Sequence, residues 1–157
     1  MRPQAHVASG LLVWSASPQR AWELPADLVA ANLPDFDRSV AKRLGVEGRA
    51  HHTWVTHSFL GWAPPTALAL ALARRMRDPG PVHRAVALVW VHLLLDTYHH
   101  GIAWLWPLSK ERVGLFRGPP GIRDDGWNTP APLSTEAGKV EAAFWALSGL
   151  AVLLRRR

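Results

Sequence analysis

The sequence contains no cysteine, which removes a disulfide framework, a thiolate zinc knot and a cysteine nucleophile together. Any metal ion must therefore be held by His, Asp or Glu. Long apolar runs are scarce as well. A membrane span wants roughly twenty largely apolar residues, and only the block from His83 to Leu108 meets that length comfortably. Trp54 to Ala73 and Thr135 to Leu154 are borderline. No internal repeat divides the 157 residues, a length that fits one domain, 1–157, with a real core. No basic groove interleaved with exposed aromatics along a strand or loop is visible, so nucleic acid stands well behind a membrane surface as a partner.

What is present is positive charge and tryptophan. The formal charge is +6 with a pI near 11.0, which draws the chain to polyanions. Arg74, Arg75 and Arg77 follow the apolar run Ala67 to Ala73, and Arg155, Arg156 and Arg157 follow Ala151 to Leu154. Basic clusters ending apolar helices are how the positive-inside bias looks in a sequence, and they favour lipid. Among the nine tryptophans, Trp54, Trp62, Trp104 and Trp106 lie near the ends of apolar segments, as residues suited to the boundary between apolar and wet surroundings do. The opening stretch, Met1 to Ser17, loosely imitates a secretory signal, but its apolar run from Val7 to Trp14 is short and starts at His6, so we read it as retained.

Trp22 to Asn32 is weakly helical, and Asn32 to Asp37 interrupts it with turn chemistry that leaves Asp35 and Asp37 on a loop or helix start. Residues 38–49 read as a polar surface connection marked by Gly45 and Gly48. The second apolar block, Trp54 to Ala73, is predicted to break at Pro64 and Pro65. The third is apolar on nearly all sides and must be buried in protein, lipid or both. A Gly- and Pro-rich loop at about 112–132 follows, and a last helix, capped by Ser134 or Thr135, closes the chain. The expected fold is all-α, a bundle of about four to five helices, membrane-associated or membrane-embedded.

Chemistry concentrates in four places. His92 and Asp96 are four apart, so a helix stacks them on one face, with His99 continuing the stripe. An ionised Asp in so apolar a segment costs several kcal/mol unless a cation or hydrogen bonds compensate it; the plain alternative to a metal is a buried His–Asp pair. His51, His52 and His57 crowd into a short run before an apolar helix, with Thr56 and Ser58 able to cap that helix or to orient an imidazole. Leu33-Pro34-Asp35-Phe36-Asp37 offers two carboxylates, as ligand and bridge or as ligand and general base, although Asp is also a common cap. His6 stands alone on an apolar segment. His83 and His100 point off the His92 stripe, and Arg123, Asp124 and Asp125 read as solvated charge.

The ordered set is an early His, Leu-Pro-Asp-Phe-Asp, His-x-x-x-Thr-His-Ser, His-Leu-Leu-Leu-Asp and Gly-x-x-x-Leu-Trp-Pro-Leu-Ser, running from His6 to about Ser109. It resembles the membrane-bound metal-dependent hydrolases that include the LexA-regulated inner-membrane proteins, whose sites are likened to those of zinc phospholipase C and single-strand nucleases. The resemblance implies a helical hydrolase of the bacterial inner membrane that binds one or two divalent ions, zinc foremost, and cleaves a phospholipid or related phosphoester. It carries metal ligation onto His6, Asp35, His52, His57, His92 and Asp96, and the role of base onto Asp37. Members commonly have Arg and Gly where this chain has Thr53 and Trp54, so that Arg is not available here to hold a phosphoryl group. Two other expectations compete: a haem or redox membrane protein with axial histidines, and a non-catalytic membrane scaffold glued by polar residues.

Overall fold

A computed structural model describes residues 3–16, 20, 22–45, 52–99, 101–114, 133 and 136–155. Among them are six α-helices and no strand: α1 (Pro3–Ser15), α2 (Glu23–Asn32), α3 (Phe36–Arg43), α4 (Phe59–Ala73), α5 (Gly80–His99) and α6 (Glu136–Arg155). Two short 3-10 turns, Leu33–Asp35 and Val55–His57, sit between them. The expectation of an all-helical chain is met.

The helices pack around two of their number. Helix α1 lies against α2, α5 and α6, while α5 also contacts α2 and α4. The buried positions between α1, α2 and α5 are largely small, with Ala5, Ala8, Ala30 and Ala31 almost fully enclosed, so the backbones approach closely. Leu88 and Leu93 of α5 are completely buried, each worth about 2 kcal/mol of hydrophobic stabilisation. On α6, Ser148 donates its hydroxyl to the Ala8 carbonyl of α1 at 2.7 Å.

Three expectations are corrected. The polar segment after Asp37 is not all connection, because α3 runs to Arg43. The second block does not break at Pro64 and Pro65; both lie inside α4 and are exposed, so the amide hydrogen bonds they remove fall on its open side. The third block is not one span. Helix α5 stops at His99, Gly101 takes a φ of 71°, the left-handed backbone that glycine adopts without strain, and the chain leaves the helix axis. None of the described helices is long and apolar enough to cross a membrane. The caps at Ser134 and Thr135, and nearly all of the Gly- and Pro-rich loop, lie outside the described residues.

A charged network escaped the sequence reading. Arg84 of α5 reaches into α2, donating to Glu23 at 2.7 Å and to Asp27 at 3.2 Å. Burial raises the Asp27 carboxyl above its ordinary range, and Arg84 only partly offsets this. Glu23 and Asp27 are four apart on a short helix, so one guanidinium can serve both. Removing one partner of a buried network strands the others. Arg84→Met is therefore expected to lower unfolding stability by about 3 kcal/mol, and the triple variant Glu23→Gln, Asp27→Asn, Arg84→Met to recover part of that loss. Denaturant titration checks both; an Arg84→Met loss below about 1 kcal/mol would mean the network holds nothing.

Candidate metal centre

Helix α5 places His92 and Asp96 on one face, both buried. His92 Nδ1 lies 2.8 Å from the carbonyl oxygen of Ala31 on α2. A carbonyl can only accept, so Nδ1 carries the proton, and in the neutral ring Nε2 presents a lone pair. That Nε2 is 3.3 Å from Asp96 Oδ2 and 3.7 Å from Asp35 Oδ1. A lone pair held against two carboxylate oxygens is repulsive unless a proton or a metal cation lies among them.

His57 repeats the arrangement from the opposite wall. Its Nδ1 is 3.3 Å from Asp37 Oδ2, the same oxygen that receives the Thr56 hydroxyl. Its Nε2 is 3.4 Å from Asp35 Oδ1 and 3.5 Å from Asp96 Oδ2. Carboxylate behind one ring nitrogen and cluster before the other is the usual setting of a metal-ligating histidine.

Local structure fixes both walls. Pro34 sits within the Leu33–Asp35 3-10 turn that presents Asp35, and Asp37 falls in the first turn of α3. The Val55–His57 turn is pressed onto α4: Ser58 accepts the Gly61 amide at 2.9 Å, and the Trp62 indole donates to the Thr56 carbonyl at 2.6 Å. A side chain at Gly61 would collide with the Val55 carbonyl, so only glycine lets the histidine turn sit there. From the other side the segment after α5 clamps the loop, with Ala103 N–H donating to His52 O at 3.2 Å and Phe59 N–H to Trp104 O at 2.9 Å.

His6 and His52 complete the cluster around Asp96. The His6 ring stacks on His92 with centroids 3.7 Å apart, and its Nε2 is 3.4 Å from Asp96 Oδ1. His52 Nε2 is 3.5 Å from Asp96 Oδ2. The structure thus brings together His6, Asp35, His52, His57, His92 and Asp96, with Asp37 set behind His57. Ligand atoms of Asp35, His57, His92 and Asp96 all lie within 4.8 Å of one another, a group that could hold a metal ion. His83 is exposed at the start of α5 and takes no part. The His99 side chain, His51, His100, Arg123, Asp124 and Asp125 lie outside the description. The Ala31 carbonyl, which sets the His92 tautomer, was invisible in the sequence, as a backbone group has no residue signature. Gly61 was readable only as the glycine after His-Ser.

The electrostatics are those of an acidic cage. Burial opposes charge on His57, but Asp35, Asp37 and Asp96 overcome it and hold the imidazole up at about 11. Burial would raise Asp35 and Asp96, yet both are held well below the usual carboxylate range, the first by His57 and His92, the second with His92, His52 and His57 among the groups that lower it. Burial and the neighbouring His92 push His6 down to about 4, so it is neutral at pH 7. A metal must displace the His57 proton to bind. Chelator-treated protein titrated with zinc is therefore expected to release protons. Its apparent affinity should rise by up to about tenfold per pH unit per displaced proton between about pH 6 and 9. Calorimetry in buffers of different ionisation enthalpy reads the protons directly; no release would contradict the assignment.

The sequence model of the YdjM inner membrane protein family matches residues 1–155. The chain belongs to that family, and its localisation is the bacterial inner membrane. No curated protein and no solved structure matches it.

Proposed function

We propose that this member of the YdjM inner membrane protein family is a metal-dependent hydrolase that cleaves a phosphoester, of a phospholipid or a related molecule, at the membrane. The observation that carries the reading is the His92 ring: its proton is fixed on the Ala31 carbonyl, and its other nitrogen faces Asp96 and Asp35. Two imidazoles and two carboxylates are a donor set suited to zinc. Asp35, His57, His92 and Asp96 would hold the ion. Asp96 turns its other oxygen, Oδ1, to His6, whereas His52 faces the Oδ2 that His57 and His92 also approach; His6 and His52 would be the residues to help hold a second ion.

A divalent ion in such a site acidifies water and polarises a phosphoryl oxygen. The remaining work falls to side chains. Asp37 accepts from His57 Nδ1 and so keeps Nε2 aimed at the ligand position, which makes it a positioning residue acting on the metal through that ring. Asp35 is the most accessible carboxylate of the cluster, its side chain 14% exposed, which makes its side the entry for substrate and water. Ligand atoms within 4.8 Å of one another suit a bare cation, whereas axial haem ligation needs room for a macrocycle and no carboxylates.

Elemental analysis of gently extracted protein is expected to find stoichiometric zinc, with at least one equivalent lost in both His92→Ala and Asp96→Ala. Absence of any stoichiometric divalent metal, or full occupancy in both variants, would overturn the proposal and favour a scaffold. Asp37→Asn is expected to keep the fold while metal affinity or phosphodiesterase activity falls about 10- to 100-fold; wild-type values for both would remove Asp37 from the site.

A further inference from the structure

Between α2, α4 and α5 runs a cavity of about 350 Å³, within the range of small-molecule sites. Its floor is the α5 stripe Val82, Val86 and Val89, and steps of three or four residues continue that stripe to His92 and Asp96. The floor therefore extends over about 10 Å of helix axis and leads to the metal centre. Leu33, two residues before Asp35, stands in the wall at that end, and Ala69 of α4 forms the opposite wall.

The lining specifies a hydrocarbon. Its only polar side-chain groups are the Trp62 indole and the Thr66 hydroxyl, and both are already engaged, by the Thr56 carbonyl at 2.6 Å and the Trp90 indole at 3.1 Å. Beyond the Thr66 hydroxyl hydrogen, the groove offers a polar ligand nothing in exchange for its hydration. The wall helix also points to the source of the chain. Leu68 and Leu72, beside the lining residue Ala69, are 61% and 53% exposed, and the exposed Arg74, Arg75 and Arg77 follow at the end of α4. An apolar face finished by cations suits the acyl and headgroup layers of an anionic bilayer, the setting of an inner-membrane protein.

We infer that this groove takes one acyl chain of a membrane phospholipid and thereby presents its phosphoester to the Asp35 side of the metal centre. The inference deepens the hydrolase reading by naming the substrate class. It rests on that reading for the bond cleaved and not for the binding of the chain.

The test uses the zinc-loaded full chain on vesicles of phosphatidylethanolamine and phosphatidylglycerol. The vesicles contain a trace of phosphatidylglycerol carrying a diazirine in one acyl chain. After illumination, mass spectrometry is expected to find adducts at Ala69, Val86 and Val89. Ala69→Trp, and independently Val86→Trp, should reduce groove adducts at least tenfold while adducts on the outer faces of α4 and α6 persist. Circular dichroism and zinc content verify that each variant is folded. Adducts confined to those outer faces in wild-type protein, or groove adducts unchanged in a folded filling variant, would overturn the inference. Hydrolysis is scored separately on bis(p-nitrophenyl) phosphate. Groove adducts without cleavage of either phosphoester would refute the hydrolase reading alone, and cleavage of the soluble ester without groove adducts would refute the groove alone.

Discussion

Asp96 is the constraint to which the rest of the structure answers. It is a carboxylate at 1% exposure on a helix whose other buried residues are mostly apolar, and an uncompensated charge there would cost several kcal/mol. Four imidazoles surround it, from His6, His52, His57 and His92 at 3.3 to 3.5 Å. They arrive from α1, from the loop before α4 and from α5 itself, so the fold can be read as the means of bringing these segments to one carboxylate. Small residues at Ala5, Ala8, Ala30 and Ala31 let α1 and α2 come close enough to α5 for the rings to meet.

The two walls of the centre are built differently. On the α2 and α5 side the group that orients the ligand is backbone, the Ala31 carbonyl on His92, while the side-chain network of Arg84 with Glu23 and Asp27 joins the same two helices nearer the start of α5. On the α3 and α4 side it is a chain of side chains, from Thr56 to Asp37 to His57, carried on a turn that Gly61 permits and Ser58 caps. A backbone acceptor cannot titrate, whereas the Asp37 carboxylate contributes charge as well as direction. The two histidines are therefore held alike in geometry and unlike in electrostatics.

Much of this was legible in the residues and some could not have been. The spacing of His92 and Asp96 is a one-face statement about any helix, and it needed only the helix to be real. Spacing alone left Asp35 and Asp37 undivided, because i and i+2 on an irregular segment carry no orientation, and only the family resemblance set Asp35 on the metal and Asp37 apart as base. The 3-10 turn that runs straight into α3 separates them, sending Asp35 into the cluster and Asp37 behind His57. The prolines of α4 misled for a related reason. A proline breaks a helix through the clash and the lost hydrogen bond, and the sequence does not say that both rings lie on an exposed side. The length of the third apolar block was likewise a poor guide, since the turn at Gly101 is decided by its contact with Val113, twelve residues onward. Residues that meet through sequence-distant backbone, such as Ala31 and His92, leave no local pattern at all.

The cluster sets the carboxylates of Asp35 and Asp96 together and must offset their charge. If protons alone neutralised it, His57 and His92 would both be imidazolium, with ring centroids 5.6 Å apart, and His92 would lie charged beneath a His6 ring stacked at 3.7 Å. The same His92 already helps to push His6 down to about 4, so the third ring supplies no compensating charge. One dication among Asp35, His57, His92 and Asp96 would balance the two carboxylates with both rings neutral, and Asp37 would then receive the Nδ1 proton of His57. Two protons would do the same, with each Nε2–H donating to the carboxylates, but at the cost of cation–cation repulsion in a buried volume.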